Sequence, residues 1–276
     1  MRVTLDQVRA QTYKARDAWW TVFLVDPLAG RLVRLLARTP VTPNQITWVA
    51  FLLGLGSAGC FLGADRPWLV AGAVLYHLSF VLDCVDGKIA RLKGTGTVLG
   101  GWLDYVFDRV RVLACALALT WGQFSRTGQE FYLVLGVLVV FLDMLRYVDA
   151  LQVAKVRREM RRRLDEAAGE PQEPADLQQH FRAHFGWYIL VRDWLRDHRV
   201  RAHLVSGIEF QMAVFIVGPL TGWIVSVTLA AGLLLLVFEL AIMVKLWMST
   251  RDLARELAKF PGLPYNSERG ERCANT

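Results

Sequence analysis

Four aspartates, Asp83, Asp86, Asp104 and Asp108, stand in an otherwise apolar stretch, DCVDGKIARLKGTGTVLGGWLDYVFD over residues 83–108. Spacings of three and four residues put each pair on one face of a helix. Gly94 and Gly96 lie between the pairs and permit a tight turn, so two antiparallel helices would aim both faces at one point. A carboxylate inside a bilayer costs a few kcal/mol or more, so four of them near one membrane face require a compensating partner. Hard oxygen donors without histidine or cysteine suit Mg²⁺ or Mn²⁺, as two ions bridged by shared carboxylates. Ions held this way bind phosphate oxygens, and one carboxylate can serve as general base toward an incoming hydroxyl.

The residues between the aspartates fit a phosphate ligand. Gly87 and Ala90 remove side-chain bulk about one helical turn apart, and Arg91 and Lys93 offer cationic donors to a diphosphate. A nucleotide diphosphate fits this description. Each part also has a plainer reading: small residues at a helix contact, positive charges at a cytoplasmic helix end, or a carboxylate relay for protons or cations in a transporter.

The elements that must position these residues are membrane helices. The chain has 276 residues, 54% of them hydrophobic, with ten tryptophans and a formal charge of +7. That composition excludes an ordinary soluble domain. The basic residues cluster beside apolar runs, as cytoplasmic flanks do, so a membrane surface is the expected partner and nucleic acid is not. Cys60, Cys84, Cys115 and Cys273 show no CxxC pairing and read as small buried residues or spectators, with neither disulfide framework nor zinc site.

Six spans are expected, over roughly 44–64, 67–91, 99–122, 130–149, 207–222 and 223–248, each near the 20 residues that cross a hydrocarbon core of about 30 Å. Thr42 caps the first, with Pro43 in its first turn and Asn44 near its entrance. The fifth and sixth are separated by the Gly218-Pro219 to Gly222 stretch. Three regions follow: an arm over 1–40, a six-span domain over 41–249 that includes a polar excursion at 150–205, and a tail over 250–276. In the arm Leu28, Leu32, Leu35 and Leu36 recur at helical spacing among arginines, which fits a helix lying in the membrane interface or one packed on the protein itself. Lys155, Arg157, Arg158, Arg161, Arg162 and Arg163 extend the fourth helix into the cytoplasm, where the default reading is a solvated end and anionic headgroups are the alternative. Lysine and arginine bias places both termini in the cytoplasm.

Asp-x2-Asp-Gly-x2-Ala-Arg-x8-Gly-x3-Asp-x3-Asp is present complete as Asp83, Asp86, Gly87, Ala90, Arg91, Gly100, Asp104 and Asp108. This signature resembles that of the CDP-alcohol phosphotransferase family, and the six spans and Thr42-Pro43-Asn44 extend the likeness over roughly 38–248. The resemblance implies an all-α integral membrane enzyme with an N-terminal interfacial helix and the active site facing the cytoplasm, in the inner membrane of a bacterial cell. It implies that Asp83, Asp86 and Asp104 bind the divalent ions, that Asp108 is the catalytic base and also a ligand, and that Asn44, Gly87, Ala90, Arg91 and Gly100 bind the CDP moiety. The phospho-alcohol group would pass from a CDP-alcohol, CDP-diacylglycerol first among candidates, to an acceptor hydroxyl, and CMP would leave. Homodimerisation is implied by the same likeness. The arm, with Asp17-Ala18-Trp19-Trp20, is also similar to members that use soluble CDP-inositol. Glu209 is similar to an acidic family position, or is a boundary residue.

Arg109, Arg111 and Arg146 are candidates for a phosphate on the acceptor, Arg146 alternatively pairing with Asp143 or Asp149 on its own helix. Against transport, the carboxylates all map to the cytoplasmic ends of spans two and three, whereas a transporter needs them reachable from both sides. An inert scaffold would have little use for all eight motif positions.

Overall fold

In a computed structural model of the chain, residues 4–168, 194–195, 197–201 and 205–257 are described. Among them the fold is all-α, with one isolated parallel bridge between Asp17 and Val200. The helices are α1 (Leu5–Thr12), α2 (Asp26–Leu36), α3 (Pro43–Leu62), α4 (Arg66–Lys93), α5 (Val98–Thr127), α6 (Phe131–Ala168), α7 (Gly207–Thr221) and α8 (Ile224–Leu257). π-helical turns at Thr21–Val25 and Ala213–Val217 precede α2 and interrupt α7.

The boundaries have local causes. Thr42 and Gln45 form a capping box at the start of α3, with Pro43 in its first turn. Gly94, at φ 65°, ends α4 in the left-handed conformation that glycine adopts without a Cβ clash. Thr97 Oγ1 then accepts the Gly100 amide at 3.0 Å and starts α5. These two caps make the reversal that brings the two aspartate pairs together. The break between α7 and α8 falls at Gly222, φ 81°, while Gly218 and Pro219 sit in the last helical turn of α7, after the π-helical register change. The expected turn is therefore shorter than Gly218 to Gly222, because the π turn accommodates Pro219 inside the helix.

Every expected span coincides with a helix. Four of them, in α3, α4, α6 and α8, are long and apolar enough to cross a membrane. α5 carries Asp104, Asp108, Arg109 and Arg111 among its apolar residues, and α7 is shorter.

The described residues form two compact units. One draws on residues 1–147 and 187–239, and the other on 148–186 and 240–276. In the first, α3 and α4 pack along their length, tied by Ser57 Oγ to the Gly72 carbonyl at 2.7 Å and Ser79 Oγ to the Ala50 carbonyl at 2.6 Å. Phe61, Tyr76, Ile89, Leu119, Phe210 and Phe215 are fully buried between α3, α4, α5 and α7. Outward faces stay apolar, with Trp48, Leu52, Trp68, Leu117, Trp121, Val134 and Val137 exposed, a surface that suits lipid. α2 buries Asp26, Ala29, Gly30 and Val33, leaves Leu28 and Leu35 exposed, and packs against α4. Its leucines are thus divided, since Leu32 and Leu36 lie partly buried on the core.

In the second unit α6 continues as helix to Ala168, carrying the basic run. Glu159 pairs there with Arg162 at 2.8 Å and Arg163 at 3.0 Å, and Glu166 with Arg162 at 2.6 Å. Arg251 stacks on Trp247 at 3.7 Å. Residues 169–193 of the polar excursion, and Cys273 in the tail, lie outside the described residues.

Candidate metal and nucleotide site

α4 and α5 run back from the Gly94 turn, and between them Asp83, Asp86 and Asp104 converge, one carboxylate oxygen of each within 4.8 Å of the others. At such a distance unscreened carboxylates repel by a few kcal/mol per pair, taking about 4 kcal/mol for two charges 4 Å apart at an effective dielectric of 20. Thr47 Oγ1 donates to Asp86 Oδ2 at 2.5 Å, so the first turns of α3 reach the cluster. Asp104 Oδ1 is buried with no hydrogen-bond partner. Three converging hard donors with an orphaned buried oxygen fit a divalent cation.

Asp108, one turn further along α5, stands apart from that triad and is held by arginines. Arg111 Nη2 donates to its Oδ1, and Arg109 Nη2 lies 3.7 Å from its Oδ2. Arg111 is 2% exposed, reaches Asp83 at 3.5 Å, donates to Ser79 Oγ at 3.1 Å and lies over the Tyr76 ring at 5.6 Å. Gly54 makes room for it, since a Cβ there would come within 2.5 Å of the Arg111 Cδ. Arg109 donates to Asp143 Oδ2 and stacks on Tyr147 at 4.9 Å. Asp143 in turn accepts from Gln211 Nε2 at 2.7 Å, and Gln211 Oε1 accepts from the Tyr76 hydroxyl at 3.1 Å. Arg146 pairs with Glu239 at 3.1 Å rather than with Asp143 or Asp149. Glu209 closes a capping box on Ser206 at the start of α7 and is buried there.

The edge beside the triad is built from small residues and one cation. A Cβ on Gly87 would meet only the Arg91 guanidinium, at 3.6 Å. Gly100 lies close to Asn44, whose Oδ1 would be 2.7 Å from an added Cβ, so these two residues on α5 and α3 touch. Arg91 is exposed and its Nε donates to the Thr12 carbonyl at 3.1 Å. Lys93 is committed to the Thr39 and Val41 carbonyls at 2.8 and 2.9 Å, which corrects its reading as a diphosphate donor.

Lys88, in the middle of the motif, had no role in the sequence reading. Its ammonium pairs with Asp26 of α2 at 3.0 Å, both side chains 5% exposed, and lies 5.4 Å from the Tyr13 ring centroid. Burial and then the Asp26 carboxylate push the Tyr13 phenol above its ordinary range, which keeps it protonated and donating to the Asp26 carbonyl at 2.8 Å. Arg199 contacts Asp26 Oδ2 through both terminal nitrogens at 3.3 Å. Nothing in local periodicity could have revealed these pairings. The Asp108–Arg111 contact was legible as an i,i+3 pair.

Comparison with known proteins follows the same residues. Residues 40–169 match the family model for CDP-alcohol phosphatidyltransferase. The phosphatidylinositol phosphate synthase of Corynebacterium glutamicum is 37% identical over 98 residues, 36% of this chain and 42% of that protein. The bifunctional IPC transferase and DIPP synthase of Thermococcus kodakarensis is 45% identical over 102 residues, 37% of this chain and 22% of that protein. The archaetidylinositol phosphate synthase of Pyrococcus horikoshii is 31% identical over 110 residues, 40% of this chain and 57% of that protein. The chain thus spans between 22% and 57% of the length of these relatives. The match over residues 40–169 takes in the whole aspartate motif of this multi-pass membrane protein.

Proposed function

We propose that the protein transfers a phospho-alcohol group from a CDP-alcohol to an acceptor hydroxyl and releases CMP, within polar-lipid synthesis. The observation that carries this reading is the convergence of Asp83, Asp86 and Asp104 between α4 and α5 beside the open edge formed by Gly87 and Arg91. Divalent cations, Mg²⁺ or Mn²⁺ and two in number, would neutralise charge on the diphosphate and on the departing CMP. Asp83, Asp86 and Asp104 would hold them, with Asp108 adjoining. Asn44, Gly87, Ala90 and Gly100 shape the space for the cytidine, and Arg91 faces the diphosphate.

In the transfer, the acceptor oxygen forms a bond to the phosphorus bearing the alcohol as the bond from that phosphorus to the CMP oxygen breaks. Asp108 takes the proton of the acceptor hydroxyl, in an orientation held by Arg111 and Arg109. Arg111 is too deeply buried to bind an acceptor in this arrangement, whereas Arg109 and Arg146, each about a fifth exposed at the side chain, keep that role open. Positioning and electrostatics supply much of the acceleration, and no covalent intermediate is needed.

Two relatives are named as synthases of inositol phosphate lipids, which supports a lipid-bearing donor such as CDP-diacylglycerol and a phosphorylated polyol acceptor. The arm, with Asp17-Ala18-Trp19-Trp20, supports a second reading on the same chemistry, a soluble donor such as CDP-inositol. Six spans, an α2 lying in the interface with Leu28 and Leu35 toward lipid, a site facing the cytoplasm from an inner membrane, and a homodimer complete the reading. A donor-by-acceptor screen of purified protein with Mg²⁺ or Mn²⁺, read by product mass spectrometry, tests it. CMP released from one donor class is expected; none from CDP-diacylglycerol, CDP-inositol or CDP-glycerol would overturn the enzyme reading.

A further inference from the structure

The motif's nucleotide edge does not stand on α4 alone. Arg91 extends from the last turn of α4, is exposed, and has its Nε held by the Thr12 carbonyl of the arm. Thr12 ends α1, and its neighbour Tyr13 fixes the local chain twice: its hydroxyl donates to the Asp26 carbonyl, and the cations of Lys88 and Arg199 lie 5.4 and 4.7 Å from its ring centroid. Gly30 completes the seat, because a Cβ there would come within 2.4 Å of the Tyr13 oxygen. Asp26 closes the loop by pairing its buried carboxylate with Lys88, three residues before Arg91 on the motif helix. Two of the joints between arm and motif helix bear on the nucleotide edge, one a buried ion pair and the other the atom that aims Arg91.

We propose that the N-terminal arm is a positioning part of the nucleotide subsite, with Asp26 and Tyr13 acting through Thr12 and Lys88 to hold Arg91 over Gly87 for a nucleoside diphosphate. This rests on the nucleotide reading of the motif. An arginine on a four-bond stem loses rotamer freedom when it grips a ligand, so a carbonyl that fixes its Nε beforehand lowers the cost of binding. The remaining guanidinium donors stay free for the diphosphate.

The test is equilibrium binding of CDP to the full-length protein in Mn²⁺, with CMP release measured beside it. Asp26→Asn should weaken CDP binding by about tenfold and raise the donor KM in parallel, with kcat within about twofold and the Mn²⁺-induced thermal shift unchanged. In an Arg91→Ala background the same substitution should change CDP affinity by less than about twofold, because its route has been removed. Equal weakening in both backgrounds, or a fall in kcat at unchanged KM, would overturn the proposal. Asp26→Asn leaves Lys88 and Arg199 buried without their acid, so Tyr13→Phe, which deletes only the hydroxyl bond, is measured in parallel. It should raise the CDP dissociation constant severalfold, again only when Arg91 is present, and unchanged affinity would equally overturn the idea. Wild-type protein that neither binds CDP nor releases CMP would instead sink the nucleotide reading itself.

Discussion

The Arg111 guanidinium is fully buried, and it compensates two of the four motif aspartates, Asp83 and Asp108. Removing one partner of a buried ion pair leaves the other uncompensated, at about 3–5 kcal/mol. Arg111→Met is thus expected to lower the thermal midpoint in detergent by on the order of 10 °C, and Arg111→Lys by less; an unchanged midpoint would contradict the pairing. Asp108→Asn keeps the shape of the site but removes the proposed proton acceptor. It should abolish CMP release while leaving CDP binding measurable, and retained turnover would remove Asp108 as the base. At this scale the aspartates were legible because their spacing is local. Arg111 was misplaced among acceptor ligands because its burial depends on Gly54 and Ser79, on helices far away in the chain. Lys88 and Asp26 were invisible for the same reason, as no pattern connects residues so widely separated.

The helices were legible to within a few residues where apolar runs met caps, as at Thr42 and Gly94. The π-helical turns were not, because a change of hydrogen-bond register leaves the side-chain pattern almost intact. The extension of α6 invites a titration. Glu159 accepts from Arg162 and Arg163, and these bonds lower its carboxyl to about 2 from an ordinary 4.5. A depressed carboxyl adds stability that is present above the unfolded value and lost as pH falls through the folded one. Labelled Glu159 followed by NMR should therefore titrate near 2, and Arg162→Gln should move it back toward 4.5. A midpoint already at the ordinary value would mean the ion pairs do not persist.

For the whole molecule, the ion proposed at the three converging carboxylates predicts a stability that depends on metal. Mn²⁺ at a hundred times its dissociation constant should stabilise the fold by about 2.7 kcal/mol, raising the thermal midpoint by roughly 5–10 °C. A chelator should reverse the shift, and Asp86→Asn should abolish it; a shift that survives Asp86→Asn would place the ion elsewhere. Hydrophobicity made the multi-pass membrane character readable, whereas the docking of the arm on α4 required three-dimensional pairing. α7 adds a consequence in time rather than space. Gln211 is the partner of both Tyr76 and Asp143, and Arg66 at the start of α4 donates to the Pro219 and Leu220 carbonyls. During synthesis α3 to α6 therefore emerge while these groups still wait for the partners that α7 supplies. A chain stopped at Ser206 should insert yet fail to show the Mn²⁺ shift, because Tyr76, Asp143 and Arg66 then lack the partners that α7 supplies; a full shift would separate the ion site from the arrival of α7.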